Sequence, residues 1–319
     1  MTPLLERKKA LVACLEDEYA VAKPMNDGVL LLVVDIDHTV YGGNTATRQR
    51  MKEHLGGDAD VNVGPMASVV VTVPWSGSGE PPVIGTSVTA PAFTALLRGC
   101  RLAVVEDLDA GEVRLEPVSE GDGDSLTLYY RHDGQQQRIK GSRGNVTGTG
   151  EAEGMPTLQI TLQGQYERPE LAEALTLSVT DQADEVPINY ANTTLNIMGH
   201  QAIGDAFSFD LGNTVTHKNK MGLNAHRISA RDASGQMTFQ APRIDEFDIF
   251  ELLESHQEVS VGAVAFEHGT QPGNIVGVRT VKSQLSGLSD EDDEGETQYQ
   301  VTAKHLPDQG DDELVLYFK

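Results

Sequence analysis

Positive charge is what this chain has least of. Its 319 residues include 24 Lys and Arg against 48 Asp and Glu, a formal net charge of −24. So acidic a balance suits neither bare phosphate backbone, which proteins grip with clustered Lys and Arg, nor an anionic membrane surface. Cysteine is nearly absent. Cys14 and Cys100 cannot build a disulfide framework, and as buried free thiols they fit a reducing cytoplasm. Aromatics are 5%, with Trp75 the single tryptophan, and an apolar run such as Val29 to Val34 is far too short to span a bilayer. The first residues carry Glu6, Arg7, Lys8 and Lys9 without the pattern of a signal peptide, so none is expected.

Hydrophobic residues at 39% and charged residues at 23% are ordinary for a folded chain, and 32 glycines suit turns and strands more than a helical bundle. The length is comfortable for two domains, each able to bury a core.

Few segments approach a chemical motif, and most of those fail it. Asp35 and Asp37 would share one face of a strand and His38 the other, so they do not converge on a metal. Asp290 to Glu296 fails the EF-hand pattern because Val301 stands where the bidentate Glu belongs, and Asp58 to Asn62 fails because Val63 replaces the turn glycine. Gly148 to Gly154 is too acidic to cradle phosphate and lacks the Lys-Ser/Thr of a P-loop. No H-E-x-x-H and no G-x-S-x-G is present. Cys100 beside Arg101 reads as the apolar end of a helix, and the acceptor-like Asn145 and Asn192 carry no weight without a secretion signal. The expectation is a non-enzyme with no cofactor and no metal.

Internal repetition is more informative. Asp35-Ile36-Asp37-His38-Thr39-Val40 and Asp210-Leu211-Gly212-Asn213-Thr214-Val215 share the pattern D-φ-x-x-T-V. Four further matches follow in the same order: Ser68 to Val73 with Gln236 to Gln240, Phe93 to Leu97 with Ile249 to Leu253, Gly144 to Gly148 with Gly273 to Gly277, and Leu158 to Thr161 with Tyr299 to Thr302. Each half reads as two long strands joined by an extended hairpin loop, a short helix, and more strands. Alternation in Thr157 to Gln163 predicts a half-solvated antiparallel strand, and Pro91 opens a helix running through Leu97. The fold expected is mainly β: two tandem β-sandwich domains, residues 29–169 and 170–319, each with a flanking short helix and a long hairpin loop. Residues 1–28 are expected to form an N-terminal arm. In it Leu4, Leu5, Leu11, Val12 and Leu15 have rough helical spacing and could contact a neighbouring subunit.

The long polar stretches Tyr41 to Gly64 and Thr216 to Gly235 exceed what hairpins need, and loops of that length are usually functional. They mix basic and apolar residues: Arg48, Arg50, Met51, Lys52, His54 and Leu55 in the first, and His217, Lys218, Lys220, Met221, Leu223 and His226 in the second. In an acidic protein this mixture suggests contact with an acidic surface of another copy.

The segments Thr2 to Leu11, Phe93 to Cys100 and above all Ala206-Phe207-Ser208-Phe209-Asp210-Leu211-Gly212-Asn213-Thr214-Val215 resemble the tail tube proteins of long-tailed, non-contractile bacteriophages. The resemblance runs from Thr2 to about Gln240, weakens in the last third, and departs at Arg227 to Arg231. It implies a structural virion protein of the phage tail, assembled in the host cytoplasm and made of β-sandwiches with a flanking helix. Its rings stack around a channel for DNA, bounded by tape measure and tail terminator proteins. Duplication implies three chains per pseudo-sixfold ring. The acidity then acquires a purpose, since a negative wall repels passing phosphate over a Debye length of about 10 Å at 0.1 M salt. The contrasting expectation is a two-domain immunoglobulin-like binding or decoration protein.

Overall fold

The computed structural model describes residues 4, 5, 7–172, 175–254 and 261–319. Met1 to Pro3 and Glu6 of the opening segment lie outside them. The fold is mainly β, with two large antiparallel sheets and, among the described residues, two short α-helices, Thr94–Arg98 and Ile249–Glu254. Both helices fall where apolar spacing predicts them, and they bury Leu96 and Leu97 in one case and Ile249 in the other.

Eight strands of the larger sheet follow one another edge to edge. They are Asp35–Thr47, Asp60–Pro74, Thr157–Tyr166, Gln135–Glu151, Gly204–Asp210, Ser234–Gln240, Glu296–Leu306 and Lys282–Asp293. The last four repeat the order of the first four: the two strands of one hairpin, then the second and first strands of a later one. The registers agree as well. Val71 lies between Ile36 and Ile160, and Met237 between Phe207 and Val301. Alternation buries one face: Val69, Val71, Val73, Leu158, Ile160 and Leu162 all point into the core.

This register corrects two of the sequence matches. Phe207 corresponds to Ile36, so Asp210 corresponds to Thr39, four residues from the alignment through Asp35. Gly144 to Gly148 belongs to the larger sheet, whereas Gly273 to Gly277 leads into Val276–Arg279 of the other sheet, so those segments are not equivalent. The strand pair Leu158 and Tyr299 is equivalent, opposite Val73 and Phe239 respectively.

The smaller sheet runs His200–Ala202, Thr193–Ile197, Val264–His268, Val276–Arg279, Val315–Phe318, Glu112–Pro117 and Leu102–Asp107. Its chain-terminal strand Val315–Phe318 lies between strands drawn from the two halves. One hydrophobic cluster extends from Leu11 to Phe318. A division between residues 169 and 170 therefore runs through sheets and a core that are continuous. Trp75 illustrates this: 1% exposed, its ring lies 5.5 Å from both Phe209 and Phe266.

The helical reading of the N-terminal arm is corrected. Lys9–Leu15 is a β-strand paired with Leu126–His132 along its whole length and with Val29–Leu30. Leu11 and Ala13 enter the main core while Val12 and Cys14 pack with Met25 and Tyr129 on the opposite side. A strand buried on both faces shows a continuous apolar run rather than alternation, and Ala10 to Leu15 is such a run. Leu4 and Leu5 remain exposed, and Leu15 packs half-buried against the core.

Strand Gln135–Glu151 is the junction. Thr157–Tyr166 occupies one edge, and Leu126–His132 takes the first part of the other. Gly204–Asp210 takes the remainder, pairing Asp210 with Thr147 and Ala206 with Glu151. A side-chain clamp closes this seam. Asn145 Nδ2 donates to Asp210 Oδ1 (2.7 Å), and Asn145 Oδ1 accepts from Asn213 N (2.8 Å). Asn213 Nδ2 donates to Cys100 O (2.6 Å) and Gly144 O (3.1 Å). Gly212, at φ +70°, makes the bend, where a Cβ would stand 2.1 Å from Asp232 O. The D-L-G-N motif of Asp210 to Asn213 is thus a structural joint.

Two expected outcomes follow from the shared core and the clamp. Chemical denaturation followed by Trp75 fluorescence and by circular dichroism should give one coincident transition, with Trp75→Ala costing about 3–5 kcal/mol; separate transitions would contradict a shared core. Asn213→Ala should cost about 1–3 kcal/mol, and Asn145→Ala should add little to it because both remove the same clamp; fully additive losses would show that the two asparagines act independently.

Candidate self-association surface

Antiparallel pairing fixes which turns share an end of the larger sheet. Asp35–Thr47, Thr157–Tyr166 and Gly204–Asp210 run one way, while Gln135–Glu151 and Lys282–Asp293 run the other. The turns at residues 48–59 and 221–222 therefore project from one end. Those at residues 152–156 and 294–295 lie at the opposite end.

At the first end, the strands of the first hairpin extend to Thr47 and from Asp60, which shortens the expected loop from Tyr41 to Gly64 to residues 48–59. Arg48 N donates to Ala59 O (3.3 Å) and Arg50 N to Asp58 Oδ2 (3.1 Å). Lys52 Nζ donates to Gly57 O (2.6 Å) and pairs with Asp58 (2.5 Å). Met51 and Leu55 are completely exposed, and Arg48, Arg50, Lys52 and His54 are exposed around them.

The stretch Thr216 to Gly235 is not a loop, as expected, but largely regular hairpin. Asn213–Lys220 pairs with Leu223–Arg231 around a two-residue turn, Met221 and Gly222, with Gly222 at φ +81°. His217 lies on one face of this hairpin with its partner His226, Lys218, Lys220 and Leu223 share the other, and Met221 is fully exposed at the tip. No Asp or Glu lies between Leu211 and Arg231. Asn219 Nδ2 donates to Val63 O (2.6 Å) and Gln165 Nε2 to Asn224 O (2.7 Å), so both hairpins rise together.

The base of the second hairpin is held by Arg143 and Tyr19, which no sequence pattern singled out. Arg143, 3% exposed, donates to His226 O (3.1 Å) and Gly123 O (3.0 Å) and lies 4.9 Å from the centre of the Tyr19 ring. The Tyr19 hydroxyl accepts from His226 N (2.6 Å). His226 stacks on His217 at 4.5 Å, and neither of its ring nitrogens has a hydrogen-bond partner among the described residues.

The opposite end is acidic. The hairpin Lys282–Asp293 with Glu296–Leu306 turns on Glu294 and Gly295, both at positive φ, and carries Asp290, Glu291, Asp292, Asp293, Glu294 and Glu296 with no Lys or Arg between Lys282 and Lys304. The run Asp290 to Glu296 that fails the EF-hand pattern is thus a hairpin tip. Beside the bridging strand, an apolar groove of about 620 Å³ opens between the two sheets, with Glu153 and Asp205 among its lining residues. Among the described residues, no group of three or more His, Cys, Asp or Glu is placed to hold a metal ion.

No model of a known protein family matches the chain, and no curated protein matches it.

The buried imidazoles give the fold a pH dependence. Burial is the main cause that pulls His38, His226 and His305 down from the ordinary 6.5 to about 4, with His217 and Arg143 adding to the effect at His226. Between those values the unfolded chain binds protons that the native fold refuses. Stability should therefore be full above about pH 6.5 and fall as the pH drops toward 4. Melting temperatures measured across that range should show the decline, with a shallower slope in His226→Phe; a flat profile would refute the assignment.

Proposed function

We propose that this chain is the subunit of a bacteriophage tail tube. Three copies close a pseudo-sixfold ring, and rings stack into a channel through which DNA passes during ejection. The tube is assembled in the host cytoplasm, and the tape measure and tail terminator proteins are its partners in the virion.

The observation that carries this reading is the repeated strand order of the larger sheet. Within one chain, the last strand of the first set, Gln135–Glu151, receives the first strand of the second set, Gly204–Asp210. The corresponding outer edges stand at the two ends of the run. Asp35–Thr47 pairs on one side with Asp60–Pro74, and the outer edge of Lys282–Asp293 is covered at Ser283 and Gln284 by Val261–Gly262. Leu126–His132 covers the start of Gln135–Glu151 in the same manner. A second copy can thus add to the first as the second half adds to the first half, through main-chain hydrogen bonds at an edge. Such a head-to-tail contact closes into a ring when its rotation divides a full turn. The internal register carried across the new seam sets Thr39 to Asp35 of one copy beside Ser289 to Asp293 of the next.

The face of this sheet turned from the core supports a non-adhesive wall. Thr147, Thr149, Gln159, Thr161, Gln236 and Thr302 on this face are uncharged, Glu151, Asp210 and Lys304 share the central strands with them, and Asp35, Asp37, Glu291 and Asp293 lie toward its margins. A face on which these carboxylates outnumber the one lysine, with neutral amides and hydroxyls among them, leaves passing phosphate little to grip.

Sedimentation and negative-stain micrographs of the full chain test the reading. Rings or tubes are expected, and a persistent monomer at high concentration would refute it. Deleting Thr47 to His54, which removes Arg48, Arg50, Met51 and Lys52 from the exposed end, should leave a folded subunit that fails to form long tubes. Normal tubes from the deletion would dispose of the role given to this hairpin.

A further inference from the structure

We propose that the apolar groove at the acidic end receives the second-hairpin tip of another copy, with Met221 as the inserted side chain. This rests on the head-to-tail stacking of the tube reading and names its receiving site.

The groove is built to take an apolar group. Phe207, Phe266, Ile188 and Leu195 form its floor, all nearly buried, with Phe207 and Phe266 stacked at 4.8 Å. At its mouth Ile203 is 72% and Tyr190 100% exposed, apolar surface left uncovered among the described residues. Among the described residues, Glu153 and Asp205 at the rim make no ion pair, and both are exposed.

The second hairpin offers the complementary group. Met221 protrudes next to Lys220, with Lys218 on the same hairpin, and neither lysine is in an ion pair among the described residues. An unbranched thioether adapts to an irregular apolar cleft, and the two lysines can meet the two rim acids. The first hairpin is the poorer candidate. It also exposes Met51 and Leu55, but Lys52 is bound to Asp58 and the loop carries Glu53 as well.

Polarity completes the case. The groove lip at Gly204 and the tip at Met221 lie at opposite ends of one path, Gly204–Asp210 continued by Asn213–Lys220, so the contact cannot form within one chain. Fully extended at about 3.3 Å per residue, that path is about 55 Å long, which sets an upper limit on the spacing between stacked copies.

Cysteine cross-linking in the full chain is the test. Cys14 and Cys100 are buried, so the background is low. Tubes of the double variant Met221→Cys, Ile203→Cys should give a ladder of disulfide-linked multimers on oxidation, and either single variant should give none. Tubes without a ladder would overturn the groove assignment while leaving the tube reading intact, whereas no assembly from the unmodified chain would overturn the tube reading itself. Met221→Asp, at a fully exposed position, should fold normally and raise the concentration needed for tube growth at least ~10-fold, the effect of losing one buried methionine. Unchanged growth, or an axial repeat well beyond ~55 Å in micrographs, would also overturn the assignment.

Discussion

The structure depends on one strand having two usable edges. Gln135–Glu151 is long enough to take Leu126–His132 on one stretch and Gly204–Asp210 on the next, while Thr157–Tyr166 fills its other side. Without that arrangement the two halves would be separate sheets. With it, they share a sheet, and the sandwich between the sheets becomes one core. The clamp of Asn145, Asp210 and Asn213 holds the point where the chain leaves this edge and turns outward into the second hairpin. The joint is polar because the bend removes the backbone from its ladder, and its amides need other partners when buried.

The sequence made some of this legible and not the rest, for identifiable reasons. The strand at Thr157 to Gln163 is readable because one face is buried and the other wet, which writes a period of two into the residues. Lys9–Leu15 is buried on both faces, so its pattern degenerates to an apolar run that helical spacing also fits. The repeat was visible in composition but not in register. The Asp35 and Asp210 motifs look alike because both are polar residues beside apolar strand residues, yet only cross-strand partners reveal that Asp210 stands where Thr39 does. The groove had no signature at all. Its walls come from Gly150, Ile188, Leu195, Phe207 and Phe266, which the chain brings together only through the pairing of both sheets.

Charge segregation belongs to the same class. A net charge of −24 says nothing about which end of a sheet is acidic. That depends on strand direction, and strand direction depends on topology. Once the order is known, an acid-free hairpin lies at one end and a hairpin tip with six acids lies at the other. On the proposed assembly the lateral seam has a different character, because Asp35 and Asp37 fall opposite Asp293 and Glu291. Like charges directly opposed are unfavourable, so main-chain hydrogen bonds have to overcome a repulsion that salt relieves.

The magnitudes indicate what would drive stacking. Exposed ion pairs contribute about 0–1 kcal/mol each and serve orientation and encounter more than affinity. A buried methionine contributes about 1.5–3 kcal/mol. One tip in one groove is therefore a weak contact, too weak to join two free chains at ordinary concentration. A ring presents several such contacts on a rigid frame, and after the first forms the others act at high effective concentration. Weak tips combined with ring closure would keep single chains apart and allow growth only from a completed ring. On the proposed assembly an acidic subunit that stays soluble until it polymerises would need both properties, and a modest apolar contact at the end of a repeated sheet would supply them.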